Sequence, residues 1–358
     1  MTSPDFFPDV PALAALQAQK QPLSTYQLDA RLRAPMTINT AVSLERQLPR
    51  KTTLAATYLG FHGTHLLRSV NINAPLPGTF GPAVPSSGVR PYGDGLGNRF
   101  LYESGGLSNV NLFATTVNTR ISPKLSFVLV YEGIRQNSDV DGIGSPSNPY
   151  NFRQDYGRST GARSNYANVI ANIVGPFGLR FNPLLVIASG PAYDLFTGHD
   201  LNGDTLANDR PAFATDLSRP SVVSTRFGAF DTNPMPGQAL VPRNYLTGDG
   251  MWNINVRVSR NFALGKIKGA PKGNAAGTDA YMPSASLVAQ APVGAGGPRE
   301  HRFDLTFSFY VNNVLNHLNP GGYVGNLSSP LFGQSTSIGL FRDTSNNRLL
   351  QFGTRLSF

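Results

Sequence analysis

Arg302-Phe-Asp-Leu-Thr-Phe-Ser-Phe-Tyr-Val-Asn312 decides the fold, and Leu350-Gln-Phe-Gly-Thr-Arg-Leu-Ser-Phe358 repeats its pattern. In the first stretch Phe303, Leu305, Phe307, Phe309 and Val311 share one parity. Arg302, Asp304, Thr306, Ser308 and Asn312 take the other, with Tyr310 the one bulky exception. In the second, Leu350, Phe352, Thr354, Leu356 and Phe358 alternate with Gln351, Gly353, Arg355 and Ser357. A period of two puts the two sets on opposite faces of a β-strand. A strand that runs on to a terminal aromatic is unlike the frayed end of a soluble domain. It suits a transmembrane β-barrel, whose strands alternate apolar-out and polar-in.

The same alternation recurs upstream. Tyr26–Arg33 and Met36–Glu45 show it, and Pro49-Arg50 turns the second of these into Thr52–Phe61, with His65–Asn73 continuing or pairing. Arg99–Gly105 and Leu107–Ile121 read as the two arms of a hairpin, and Ser122-Pro123 turns into Leu125–Tyr131. Asn165–Val174 and Leu179–Ser189 form a hairpin about Gly175–Gly178, and Trp252–Val258 alternates again. Between these lie loops rich in Pro, Gly and Asn: Asn73–Asn98, Asp139–Arg163 and the long irregular stretch Gly190–Gly250. Short turns therefore alternate with long connections, as in outer-membrane barrels. The count comes to about ten to twelve strands, near the nine to eleven residues that a tilted membrane strand needs. Aromatics near strand ends (Tyr58, Phe61, Tyr131, Tyr193, Trp252, Phe262, Phe309, Phe341 and Phe358) read as interfacial girdles.

Composition agrees with an all-β, antiparallel architecture. Charged residues make up 14% of the chain, against roughly 25% in ordinary soluble domains. No apolar run is long enough for a transmembrane helix. With Cys 0 there is no disulfide, thiolate metal site or cysteine nucleophile. The net charge is +9, mostly arginine, and the cations are spread singly along strands. That spacing argues against nucleic acid, which calls for a clustered basic stripe. Residues 1–22 are rich in Pro and Ala and read as a linker or loop, leaving 23–358 as barrel; Gly265–Pro298 is low-complexity Ala/Gly/Pro. The start, MTSPDFFPDV, lacks the basic and apolar regions of a signal peptide.

Several segments together resemble one family. They are Val42–Leu48, Asn71–Pro75, Ser189–Gly198 running into Asp200–Asp204 and Asn208–Pro211, Val311–His317 with Asn326–Gly333, and Gln351–Phe358. In order and spacing they resemble the C-terminal barrel portion of TonB-dependent outer-membrane receptors of the Oar-like branch. The resemblance implies an outer-membrane location, contact with outer-membrane lipid, recognition of Phe358 by the barrel-assembly machinery, and ligand uptake by the parent protein. It also implies a plug domain that engages the TonB complex, and a barrel of about 22 strands. Neither plug nor signal peptide is visible here, so the expected unit is a partial barrel. The rival readings are a secreted soluble β-sandwich that binds or adheres, and a small stand-alone barrel.

One stretch has metal-ligand spacing. Asp200-x-Asn202-x-Asp204, with Asp209 and the Leu206 carbonyl, places oxygens at alternate positions of a tight loop, as a calcium site requires. Thr205 stands where the helix–loop–helix calcium motif wants Gly, and Pro211 where it wants Glu. The plainer reading is an Asx-rich turn bonded to its own backbone. His62, His65, His199, His301 and His317 have no ligand spacing, and Gly142-x-Gly144 and Gly294-x-Gly296-Gly297 are not phosphate loops. No nucleophile elbow occurs, so no enzyme is expected. Arg257, Arg302, Asp304 and Arg355 fall on the polar parity, facing a lumen either as a charge ladder between strands or as contacts for a solute or plug.

Overall fold

The computed structural model describes residues 23–81, 87–266, 301–338 and 347–358. The expected linker 1–22 and the Ala/Gly/Pro segment 267–300 lie outside the described residues.

Nine long strands carry the fold. They are β1 (Met36–Leu48), β2 (Thr52–Asn71), β3 (Asn98–Ser122), β4 (Leu125–Ser138), β5 (Asn165–Val174), β6 (Leu179–Ala188), β7 (Met251–Lys266), β8 (His301–Asn312) and β9 (Leu349–Ser357). Each pairs antiparallel with its neighbour in the chain, so one sheet runs from β9 to β1 without a crossover. The sheet has 11 strands once two short ones are added at its long-loop end. Among the described residues β1 and β9 are its edges, and the wall is not closed.

Register turns the alternation into two faces. Leu54, Val117, Leu129, Val169, Leu185 and Ile254 form one continuous apolar row across six strands. Leu125, Ile173, Phe181, Val258, Phe309 and Phe352 form a second row on the same face. No second sheet covers this face among the described residues: Phe309 is 42% and Phe352 71% exposed. Exposed apolar side chains are ordinary when scattered, but contiguous rows of this extent demand a non-aqueous neighbour. That removes the sandwich reading, which needs the same side chains packed against a second layer. The opposite face is mixed and polar, with Glu132, Tyr166, Asn168, Asn253 and Asn255 all buried.

Two tyrosines mark the upper edge of the apolar face. Tyr58 donates to Asn111 Oδ1 and Tyr131 to Asn165 Oδ1, each at 2.7 Å. Each ring leans over the glycine two residues ahead, Gly60 and Gly133. A hydroxyl at the wet end and a ring on the greasy side is the division an interfacial aromatic makes. Two of the girdle expectations need correction. Tyr193 is buried in the loop cap described below, and Phe61 sits on the concave parity beside Asn39. Phe341 lies outside the described residues.

Three further expectations are corrected. The expected hairpin over Arg99–Gly105 and Leu107–Ile121 is one 25-residue strand. Gly105 and Gly106 are there for close packing, not for a turn: a Cβ on Gly106 would lie 2.7 Å from Val140 and one on Gly105 2.6 Å from Arg68. Opposite them β2 slips register between Gly63 and Arg68, as a bulged ribbon does. The strand expected at Tyr26–Arg33 stops at Leu28 and pairs parallel with Asn98–Tyr102 of β3, stacking Tyr26 on Phe100. Finally, Gly190–Gly250 is not irregular throughout. Short strands Ala212–Phe213, Val222–Thr225 and Gly228–Asp231 form a small sheet there. Their core is Tyr193, Leu195, Phe230, Val241, Leu246 and Leu327, which makes an ordered cap at the long-loop end.

Candidate functional site

The cap is stitched from the long connections by buried polar residues. Asn71 Oδ1 accepts from the amides of Asn73 and Arg99, and Asn73 Nδ2 donates to the carbonyls of Gly93 and Gly97. Arg210 donates to Asp155 Oδ1 and to the Gln154 carbonyl, both at 2.5 Å, which joins two loops through a buried ion pair. Arg243 bridges to Asp141 at 2.6 Å, and Arg68 to Glu103 at 2.6 Å. Arg68, Arg210 and Arg243 thus meet carboxylates, while the buried Arg163 and the half-buried Arg158 donate to backbone carbonyls.

The Asp200 loop docks into this network. Asp200 Oδ1 accepts from the amides of Asn202 and Gly203, and Oδ2 from that of Thr205. Asn202 Oδ1 accepts from the Asp204 amide, and Asp204 Oδ1 from that of Leu206. Asp209 accepts from the Leu201 amide at 2.8 Å and from Asn202 Nδ2 at 3.0 Å. Thr205 takes a positive φ of 72°, the conformation for which Gly is preferred, and its hydroxyl receives Asn98 Nδ2 at 3.1 Å. Gly203 has no alternative: its φ is 79° and a Cβ there would lie 2.6 Å from Phe80.

All four residues singled out for calcium are thus gathered in one loop, and each has a side-chain oxygen accepting from a backbone amide. Burial, with the neighbouring carboxylates adding to it, pushes Asp204 up to about 8. Burial first and then Asp200 push Asp209 up to about 7. Among the described residues no three His, Asp or Glu side chains converge as a metal cluster. What the loop does visibly is form consecutive Asx turns that shape the cap. His62 bonds Asn109 and His317 stacks on Trp252, well apart in the fold.

The concave wall is different in kind. Arg257 lies beside Asn182 on one side and Tyr310 on the other, and Arg355 beside Thr306. Among the described residues no arginine of this wall lies directly opposite a carboxylate in register, and Asp304 lies on the diagonal from Arg355. Strand parity was legible, but the pairing register that decides neighbours was not. Sequence reading placed Asn71, Asn73 and Arg210 within segments of family resemblance but not in these buried bonds, and Asp155 as the partner of Arg210 was missed.

Comparison with known proteins supplies the family. Residues 2–268 match the model of an outer membrane beta barrel domain. No curated protein matches the chain. Among solved structures it is similar to the outer membrane transporter YddB from Escherichia coli, at 11% identity and a TM-score of 0.49. That match covers 94% of this chain and 34% of the other, so the chain spans about a third of the transporter's length.

Proposed function

From the premise that the chain belongs to the outer membrane beta barrel domain family and lies in the outer membrane, we propose that it forms the C-terminal part of a TonB-dependent, Oar-like uptake barrel. Its parent imports a ligand, with energy relayed by the TonB complex through a plug domain. Outer-membrane lipid covers the apolar face, and the assembly machinery engages Phe358. We assign it no catalytic role.

The open sheet carries this reading. Unpaired strand edges are not tolerated in lipid, so β1 and β9 need partners. In a nine-stranded antiparallel meander the first and last strands run the same way, from the long-loop end to the short-turn end. Joining them directly makes a parallel seam. An odd number of further strands closes the wall with antiparallel seams throughout. A barrel with an even total of about 22 strands supplies such a complement. The family segments add support, since Asn71 and Asn73 hold the loop end of the wall together.

The test is photo-crosslinking in outer membranes from residues 40 and 354, on the two edge strands. Crosslinks from each position to separate, additional strands are expected. A crosslink joining β1 to β9 of one chain would replace this reading with a small self-closed barrel.

A further inference from the structure

Five arginines fall on the concave parity: Arg120, Arg180, Arg257, Arg302 and Arg355. In the short-turn half of that wall the acidic side chains among the described residues are Glu45, near the β1 edge, and Asp304. The ion pairs Arg31–Asp29, Arg68–Glu103, Arg68–Asp139, Arg210–Asp155, Arg219–Asp231 and Arg243–Asp141 lie toward the long-loop end, and none includes Arg257. Asp304 does not serve Arg257: it lies six residues along β8 from Tyr310, the neighbour of Arg257, or about 20 Å at the usual strand rise.

Arg257 opens instead on a recess of about 470 Å³ in the face of β7–β9, lined also by Ser308, Tyr310, Gln351, Phe352 and Gly353. Every polar side chain of that lining is able to donate a hydrogen bond, and none is an acid. Gly353 keeps the floor bare: a Cβ there would lie 2.9 Å from Ser308 Oγ. A half-buried guanidinium that meets no carboxylate among the described residues, ringed by neutral donors, is complementary to an oxyanion, which takes the planar fork of arginine in bidentate fashion.

We propose that this recess is a binding subsite for an oxyanion-bearing solute, a phosphate or carboxylate compound, anchored by Arg257 on the lumen wall. The proposal rests on the uptake reading and names the chemistry of what is taken up. Arg257 is the anchor, Ser308, Tyr310 and Gln351 orient the anion, and the other arginines of the wall raise its local concentration.

The experiment is calorimetric titration of inorganic pyrophosphate into the full chain in lipid nanodiscs at low salt. Arg257→Gln is expected to weaken binding by about tenfold or more, the scale of a charged hydrogen bond, and Arg257→Lys by less. A triple exchange at the outer rim, R46Q/R50Q/K51Q, is expected to leave binding within about twofold, since rim charges act through screened water. Unchanged binding in Arg257→Gln, or loss in the rim variant, overturns the proposal. So does Arg257-dependent binding of an acidic peptide but not of pyrophosphate, which makes a polypeptide the occupant. Additional edge strands without pyrophosphate binding would sink the subsite alone. Binding without such strands would sink the uptake barrel alone.

Discussion

Replacing Leu129 with arginine tests the membrane account where it is most exposed. Leu129 sits on the apolar face of β4 between Val117 and Val169. The next outward charge toward the loops is Arg135, six residues away, and the turn residue Lys124 lies five residues the other way. At about 3.3 Å per residue and a tilt near 40°, Arg135 is about 15 Å higher along the membrane normal. That exceeds the reach of an arginine side chain, so the new charge stays in hydrocarbon instead of snorkelling to water. A midplane arginine costs about 2–4 kcal/mol, or roughly 30- to 900-fold in the folding equilibrium. The assay is guanidinium unfolding in lipid vesicles, read by the fluorescence of the single tryptophan, Trp252. Ser126→Arg, on the concave face of the same strand, is the control and is expected to cost less than about 1 kcal/mol. Equal stability of Leu129→Arg and the parent, or an equal loss in both variants, would refute the assignment of faces.

Other outcomes are expected from single sites. Tyr131→Phe removes the bond to Asn165 and should cost about 1 kcal/mol in the same unfolding assay; an unchanged midpoint would mean the hydroxyl bonds equally well to headgroups. Arg210→Met leaves Asp155 as a buried charge, a loss of about 3–5 kcal/mol. Limited proteolysis should then nick 145–160 far faster, with partial rescue by Asp155→Asn, and an unaltered digestion pattern would contradict the buried pair. Asp204 and Asp209 are raised, to about 8 and about 7, above the ordinary carboxylate value of 3.8. The folded loop therefore holds protons that the unfolded chain gives up. Its stability is full below about pH 4 and falls as pH climbs to those values, by at most about 1.4 kcal/mol per unit for each acid. Hydrogen exchange of the Leu201 and Leu206 amides, corrected for intrinsic rates, should show that slope. A flat profile would refute the burial argument. Loss of the slope in millimolar calcium would identify a metal loop, and its persistence would leave the carboxylates as turn-formers only.

Much of the wall was readable because side-chain parity survives into the sheet. Phe303–Val311 and Leu350–Phe358 alternate in sequence and occupy one face in the structure. The cap was not readable, since its strands are two to four residues long, too short for a period to register. Its core draws on Tyr193, Phe230 and Leu327, which lie far apart in the chain. Gly105-Gly106 misled for a related reason: a glycine pair signals a turn locally, whereas here it admits Val140 and Arg68 from other segments. Likewise the isolation of Arg257 depends on meeting Asn182 and Tyr310, a matter of register that no single strand reveals.

The most direct test uses the absence of cysteine. Single cysteines at each position from 303 to 311, spin-labelled after insertion into bilayers, report oxygen against polar-relaxant access. The account predicts a period of two: positions 303, 305, 307, 309 and 311 exposed to oxygen in the hydrocarbon, and 304, 306 and 308 open to the aqueous relaxant. Access without alternation, or with the odd positions sealed from lipid, would contradict it.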